Sequence, residues 1–283
     1  MTKMVKYIDL FCGMGSFHYS FQKLGFKCVM ASDIYKPAKE NYKKNYNMDV
    51  LDDICDIEPS SIESYDILCA GFPCQPFSQA GHHKGFKDSR GTMFSQVMRF
   101  VKTNVPKIVI LENVQGLLRH DNGKSFAKIK EELEIEGYNV VYKVLKCSDY
   151  GIPQMRKRLF IVGFKNVEVT NLEKFFDLQH YTKTVKLTQY LGQNFKKDFA
   201  YTLRCGGRLS PIDDRHNWDG YWVDDKEYRL TIDDGLKLQG FNDYDFVGKK
   251  NEKWKMLGNT IPTIFTEIIG KQIVKHTSFN SNV

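Results

Sequence analysis

No apolar run in the chain of 283 residues approaches the roughly 20 needed to cross a bilayer, which excludes a helical membrane span. The opening MTKMVKYIDLF runs straight into a strand-like segment and carries no signal-peptide pattern. Paired cysteines are also lacking. The seven (Cys12, Cys28, Cys55, Cys69, Cys74, Cys147 and Cys205) are odd in number and show no CxxC spacing. A disulfide framework and a zinc or other metal site are therefore not indicated, and reduced thiols in a cytoplasmic protein are expected. Internal repeats and low-complexity tracts are absent. What remains is ordinary for a globular protein: 42% hydrophobic and 27% charged residues, with enough chain for a large domain and a smaller partner. The net charge of +7 fits a polyanion partner such as nucleic acid, although many proteins without one are as basic.

Short β-branched runs alternate with amphipathic stretches. Strands are expected at 5–11, 27–31, 65–70, 106–111, 140–145 and 159–164. A helix over 16–24 places Phe17, Phe21 and Leu24 on one face and stops at Gly25. A second over 125–135 uses Phe126, Ile129 and Leu133 and stops near Gly137. Strands alternating with helices predict an α/β fold, a mainly parallel sheet covered on both faces. The pattern fails after about Phe164. From there to about Lys255 the chain is polar, aromatic and glycine-rich, which reads as a second, smaller domain of loops and short strands. A last helix, 261–276, opens with Pro262 and carries Ile264, Ile268 and Ile269.

Four segments carry chemistry. DLFCGMG, residues 9–15, is a strand running into a glycine turn and a helix, where backbone N–H groups can approach a ligand. His18 stands where a dinucleotide fingerprint wants its third glycine. Asp33 closes the next strand and suits a ribose diol; the alternative is a structural turn with a surface acid. GFPCQPFS, residues 71–78, follows a strand and holds Cys74 between Pro73 and Pro76, at an edge where catalytic groups gather. The polar stretch 79–93, with Gly81, Gly85 and Gly91, reads as a loop able to close over a substrate. Glu112-Asn113-Val114 ends another strand, so Glu112 is either a solvated acid or one with a raised pKa. QMRKR, residues 154–158, enters the last strand and is either a solvated end or a group that binds phosphate or polarises a base.

Together these motifs resemble the bacterial-type DNA (cytosine-5) methyltransferases over nearly the whole chain. DLFCGMGSF is similar to that family's cofactor motif, GFPCQPFSQAG to its nucleophile motif, ENV to its glutamate motif and QMRKR to its QxRxR motif. Arg229-Leu-Thr with LKLQGF, and Leu257-Gly-Asn-Thr-Ile-Pro262, are similar to two later motifs in the same order. The resemblance implies a Rossmann-like S-adenosylmethionine-dependent domain over 1–175, completed by 256–283, and a smaller irregular target-recognition domain over 176–255. It implies that Phe11, Gly13 and Gly15 line the S-adenosylmethionine pocket and that Asp33 takes the ribose hydroxyls. Ile34 would lie on the adenine, Asp53 and Ile54 at its amino edge, and Phe72 and Asn259 near the methionine moiety. Ser16 departs from the family's usual glycine, and Ile34 from its usual bulky aromatic, the second departure implying weaker stacking on adenine.

The implied activity is addition of the Cys74 thiolate to C6 of a flipped-out cytosine, with Glu112 donating to N3 and Arg158 holding O2. Asn113 and Pro73 would fix the base edge and the cysteine backbone. Ser78, Lys84, Arg90 and Arg156 are implied phosphate contacts on double-stranded DNA. Sequence reading falls to 199–222, with Arg204 and Arg208 as leading readers beside Gly206, Gly207, Arg215, His216, Asn217 and Trp218. A monomer with a companion restriction endonuclease is implied. The rivals are a tRNA cytosine-5 methyltransferase, a nonenzymatic DNA-binding module on the same fold and a Rossmann oxidoreductase. The full variable region favours DNA over tRNA, and intact Cys74, Glu112 and Arg158 favour an enzyme.

Overall fold

The computed structural model describes residues 4–73 and 93–277. Cys74, Ser78, Lys84, Arg90 and almost all of the 79–93 loop lie outside the described residues. The chain builds a six-stranded sheet from β1 (Lys6–Leu10), β2 (Lys27–Ser32), β3 (Ile67–Ala70), β4 (Ile108–Val114), β5 (Asn139–Lys146) and β6 (Lys157–Phe164). Their order is β2-β1-β3-β4-β6-β5. The pairs β1·β2, β1·β3 and β3·β4 are parallel, and β6 runs antiparallel to both its neighbours.

All six strands fall where the alternation of apolar runs predicts them, and the period of two decides what each residue packs against. Tyr7, Ile67, Cys69, Ile108 and Ile110 share one face with Phe17 and Phe21 of α1 (Ser16–Phe21) and Phe265, Ile269 and Ile273 of α8 (Thr263–His276). Ile8, Leu10, Leu68, Ala70, Val109 and Leu111 share the other with α3 (Met93–Asn104) and α4 (Lys124–Ile135). Burial on both faces is what an uninterrupted ILCA or IVIL run requires. Each fully buried Ile, Leu or Phe there contributes about 1.5–3 kcal/mol of transfer free energy. α1 passes into a 3-10 turn, Gln22–Leu24, and ends on Gly25 at φ 73°, the left-handed cap its position predicts.

Two helices ahead of β6 have no counterpart in the sequence reading, and three more follow where loops and short strands were expected. α2 (Lys36–Tyr46) buries only Ala38, Asn41 and Tyr42, so it shows no apolar stripe. α3 directly follows the polar 79–93 segment, which hides its start.

The later part of the chain is irregular. It contains α5 (Leu187–Leu191), a hairpin of β7 (Gly220–Val223) and β8 (Lys226–Arg229), α6 (Ile232–Leu238) and α7 (Lys250–Asn259). Its core is aromatic: Trp218, Tyr221, Phe241 and Trp254 are buried together and pack onto Met14, Tyr19 and Ala38 of the first unit. α7 spans the expected return at 256 and gives Trp254 and Leu257 to this cluster.

Candidate active site

The carboxyl ends of β1 to β4 lie along one edge of the sheet. Because β6 is antiparallel, its first residues reach that same edge, with Val114 opposite Arg158 in the register. Reversal of a single strand therefore brings the QxRxR segment to the groups that follow β1, β3 and β4. A cavity of about 800 Å³ opens there. Its walls include Phe11, Gly13, Asp33, Ile34, Asp53, Ile54, Phe72, Pro73, Glu112, Asn113, Arg158 and Asn259, twelve of the residues singled out from sequence.

The glycine turn is built with backbone torsions that most residues resist. Phe11 lies at φ 56° and Gly13 at φ 53°, directly beyond β1. Phe11 carries the more costly torsion, since a bulky side chain at positive φ is uncommon. A side chain at Gly13 would meet no protein atom within 4 Å, so the backbone presents an open face to the cavity. Asp33 is held by two backbone donors, Gly13 N–H to Oδ2 at 2.8 Å and Tyr35 N–H to Oδ1 at 2.7 Å. Burial raises its pKa, and the two N–H groups oppose that rise. Each oxygen keeps accepting capacity for a hydroxyl of a ligand. Asp53 accepts from Cys55 N–H at 2.9 Å and caps the short turn Ile54–Asp56, which turns Ile54 inward. Ile34 is 74% exposed on the rim.

Glu112, on β4, is buried, and its Oε1 lies 2.8 Å from Arg158 Nε. Burial raises the carboxyl pKa; the positive charges of Arg158 and then Arg156 only partly offset it. The pair can thus present a proton beside a fixed cation. Asn113 Nδ2–H donates to the Phe72 carbonyl at 3.0 Å, clamping the backbone one residue before Pro73. β4 in this way positions the segment that leads into Cys74.

Three expectations meet a different geometry. Arg156, expected on phosphate, is wholly buried and donates to the carbonyls of Leu203, Gly258 and Thr260 at 3.1, 2.9 and 2.8 Å. Burial, followed by the like charge of Arg158, lowers its pKa to about 9, so it still carries its charge at neutral pH. It is a tie between the later segment and the cavity wall, with no face left for DNA. Gly15 is not on the cavity wall; at φ 79° it caps α1 behind the turn, and a Cβ there would collide with the rings of Tyr46 and Tyr42. Arg208 is half-buried, with Nε 3.1 Å from Asp219 Oδ2 and its guanidinium over Trp254 at 4.3 Å. Trp218 and Asn217 are buried as well, whereas Arg204, Arg215 and His216 are exposed.

Sequence reasoning missed what three residues do at or behind the cavity wall. Tyr35, with the Lys255 ammonium 4.2 Å from its ring centroid, stands beside Ile34. An aromatic one place after the expected position was the available signal. Ser16, where the family often has glycine, is buried and donates to the Ile261 carbonyl at 2.6 Å, which pins α1 to the last motif. Gln154 bridges Leu238 O at 2.7 Å and Leu203 N–H at 3.1 Å, a role its neighbours in sequence do not reveal.

If Asp33 binds the ribose of a nucleoside cofactor, Asp33→Ala should raise the Michaelis constant for S-adenosylmethionine, with less effect on turnover at saturation. Steady-state methylation kinetics check this, and an unchanged constant would move the ribose site elsewhere.

The model of the C-5 cytosine-specific DNA methylases matches residues 5–224. Type II methyltransferase M.DsaV of Dactylococcopsis salina is 38% identical over 310 aligned positions, covering 97% of this chain and 87% of its own. Type II methyltransferase M.HaeII of Haemophilus aegyptius is 36% identical, covering 96% and 93% respectively. Among solved structures, the S. pombe Dnmt2 methyltransferase shares the fold with a TM-score of 0.74 at 18% identity, covering 96% of this chain and 99% of that one. The order of the motifs, the sheet they occupy and these likenesses agree: the chain belongs to the C-5 cytosine-specific DNA methylases.

Proposed function

We propose that the protein methylates C5 of a cytosine flipped out of double-stranded DNA at a specific site, through a covalent bond from Cys74 to C6, as the modification enzyme of a restriction-modification pair. The observation that carries this reading is the buried Glu112–Arg158 pair, 2.8 Å apart, in the same cavity as Asp33 and the glycine turn.

The cavity fits S-adenosylmethionine. Asp9 is 1% exposed on its wall, and its Oδ2 has no hydrogen-bond partner among the described residues. An orphaned acceptor at the turn suits the amino group of the methionine moiety. Asp33 offers oxygens for the ribose hydroxyls, and Ile34 with Tyr35 forms an apolar wall for adenine. When bound, S-adenosylmethionine supplies an electrophilic methyl group.

The remaining work belongs to this chain and the base. C5 of cytosine is a weak nucleophile, and addition of the Cys74 thiolate to C6 turns the ring into an enamine. Negative charge then builds on N3 and O2. Glu112, whose acid form burial favours, gives its proton to N3, while Arg158 steadies the O2 side and orients Glu112. Asn113, through Phe72, keeps the segment ahead of Cys74 in place. Loss of the C5 proton afterwards expels the thiolate. Since Cys74 cannot reach a stacked base, the cytosine must leave the helix, at a cost of a few kcal/mol. The exposed Arg204 is the reader favoured within 199–222, and the boundary of the recognition domain is placed at 176–255.

Purified protein with methyl-labelled S-adenosylmethionine should label unmethylated duplex DNA and leave tRNA unlabelled. Label on tRNA alone would transfer the reading to RNA, and label on neither would remove it. Bisulfite sequencing of the labelled DNA identifies the site.

A further inference from the structure

One surface loop of the later unit, 206–210, combines features that stability alone does not explain. Leu209 is an apolar side chain 72% exposed to solvent and sits at φ 70°, a torsion leucine resists. Solvent exposure and unfavourable torsion together give the fold no benefit from this side chain. Glycine at 209 would relieve both.

The loop is nonetheless held firmly from behind. Asp219, completely buried, accepts Leu209 N–H on Oδ1 at 3.2 Å and holds Arg208 Nε on Oδ2 at 3.1 Å. Trp218 Nε1–H donates to Gly206 O at 2.9 Å, and an Arg229 N–H to Ser210 O at 2.8 Å. In front, Gly206 has no protein atom within 4 Å of where a Cβ would stand. A strained apolar side chain is therefore presented outward on a rigid mount, with open space in front of Gly206 for an approaching polymer.

The base of the loop is tied to the cavity. Cys205 Sγ–H donates to Asn259 Oδ1 at 2.8 Å, and Asn259 lines the cavity wall. A side chain at Gly258 would collide with the backbone of Arg204 and Cys205. Arg156 fastens Leu203 to Gly258 and Thr260. The loop and the cavity consequently keep a fixed relation.

We propose that Leu209 is the wedge that enters the duplex when the target cytosine leaves it. This rests on the reading of the protein as an enzyme acting on duplex DNA. Apolar side chains inserted between base steps unstack them, and a wedge must be rigid to do so. Backbone strain at Leu209 is then the cost of aiming the side chain away from the protein.

Two variants separate wedge from ornament. Leu209→Gly removes the side chain and relaxes the torsion; Leu209→Met keeps an apolar chain of similar length. Both are assayed on a duplex built on the site mapped by bisulfite sequencing, and on the same duplex with an abasic residue opposite the target cytosine. Leu209→Gly should unfold at the wild-type temperature or above and bind S-adenosylmethionine as the wild type does. Its methylation rate at limiting DNA should fall at least about 10-fold on the paired duplex, where extrusion is costly, and stay near wild type on the abasic one. Leu209→Met should follow the wild type on both. Wild-type rates for Leu209→Gly on the paired duplex, or an equal loss on both duplexes, would overturn the wedge. A wild-type protein that methylates neither duplex would overturn the enzymatic reading itself.

Discussion

Cys74→Ser should abolish methyl transfer while leaving S-adenosylmethionine affinity nearly unchanged. A serine hydroxyl is not ionised near neutral pH, whereas an ordinary thiol, with a pKa of about 8.5, already supplies some thiolate there. Five of the other six cysteines make poor substitutes. Burial raises the thiol pKa of Cys12 and Cys69 well above its ordinary value, and pushes Cys28 and Cys147 up to about 12. Cys205 is raised as well, and its Sγ–H is engaged with Asn259. A duplex carrying 5-fluorocytosine at the target sharpens the test. Release of the enzyme requires the C5 substituent to leave as a cation, easy for a proton and effectively impossible for fluorine. The protein should therefore become covalently attached, only with S-adenosylmethionine present, and mass spectrometry should find the adduct on the peptide containing Cys74. Cys74→Ser should give none. Retained turnover in that variant, or an adduct on a different cysteine, would displace Cys74 from its role.

Which features of the sequence announced the fold, and which did not, follows from where their causes lie. Strand β3 was legible because ILCA is a short apolar run of the kind an interior strand, buried on both faces, requires. Glu112 was legible as an acid at a strand end, but its worth was not. That depends on β6 being antiparallel, a long-range choice that brings Arg158 to the same edge. Arg156 and Arg158 are two residues apart, a spacing that would put both on one side of an extended stretch, and Arg156 lies just ahead of β6. One faces the cavity and the other the junction with the later segment, yet in sequence they look alike. Arg208 misled for a similar reason. Its partner Asp219 stands eleven residues away in a segment without periodicity, so the ion pair was invisible until the loop was folded. α2 was missed because its buried side includes Asn41, whose side chain donates to the carbonyls of Pro37 and Val247 at 2.7 and 3.1 Å. A polar residue satisfied by backbone leaves no hydrophobic signature.

Glu112→Gln should lower turnover by roughly 10²–10⁴, the range for a positioned general acid, with DNA affinity changed little. Glutamine keeps the shape and the contact to Arg158 but has no proton to give. The pH dependence follows from the direction of the shift. Burial raises the Glu112 pKa, so its acid form persists to a higher pH than in a solvated glutamate. Activity that needs this proton is present below the raised pKa and lost as pH rises through it. The wild-type profile should therefore carry an alkaline decline in kcat/KM that the glutamine variant lacks. Stability moves in the same sense. A carboxyl whose folded pKa exceeds its unfolded value favours the folded state fully below the unfolded pKa, and that contribution disappears as pH climbs through the folded one. Glu112→Gln, which buries no charge, should thus gain on the wild type in thermal stability at alkaline pH and not at acid pH. Those two readouts are independent of each other, since one reports the proton given to N3 and the other the cost of burying a carboxylate. A variant that turned over normally but bound DNA poorly would make Glu112 a structural residue, and the Arg158 pair would then be a brace for β4 and β6.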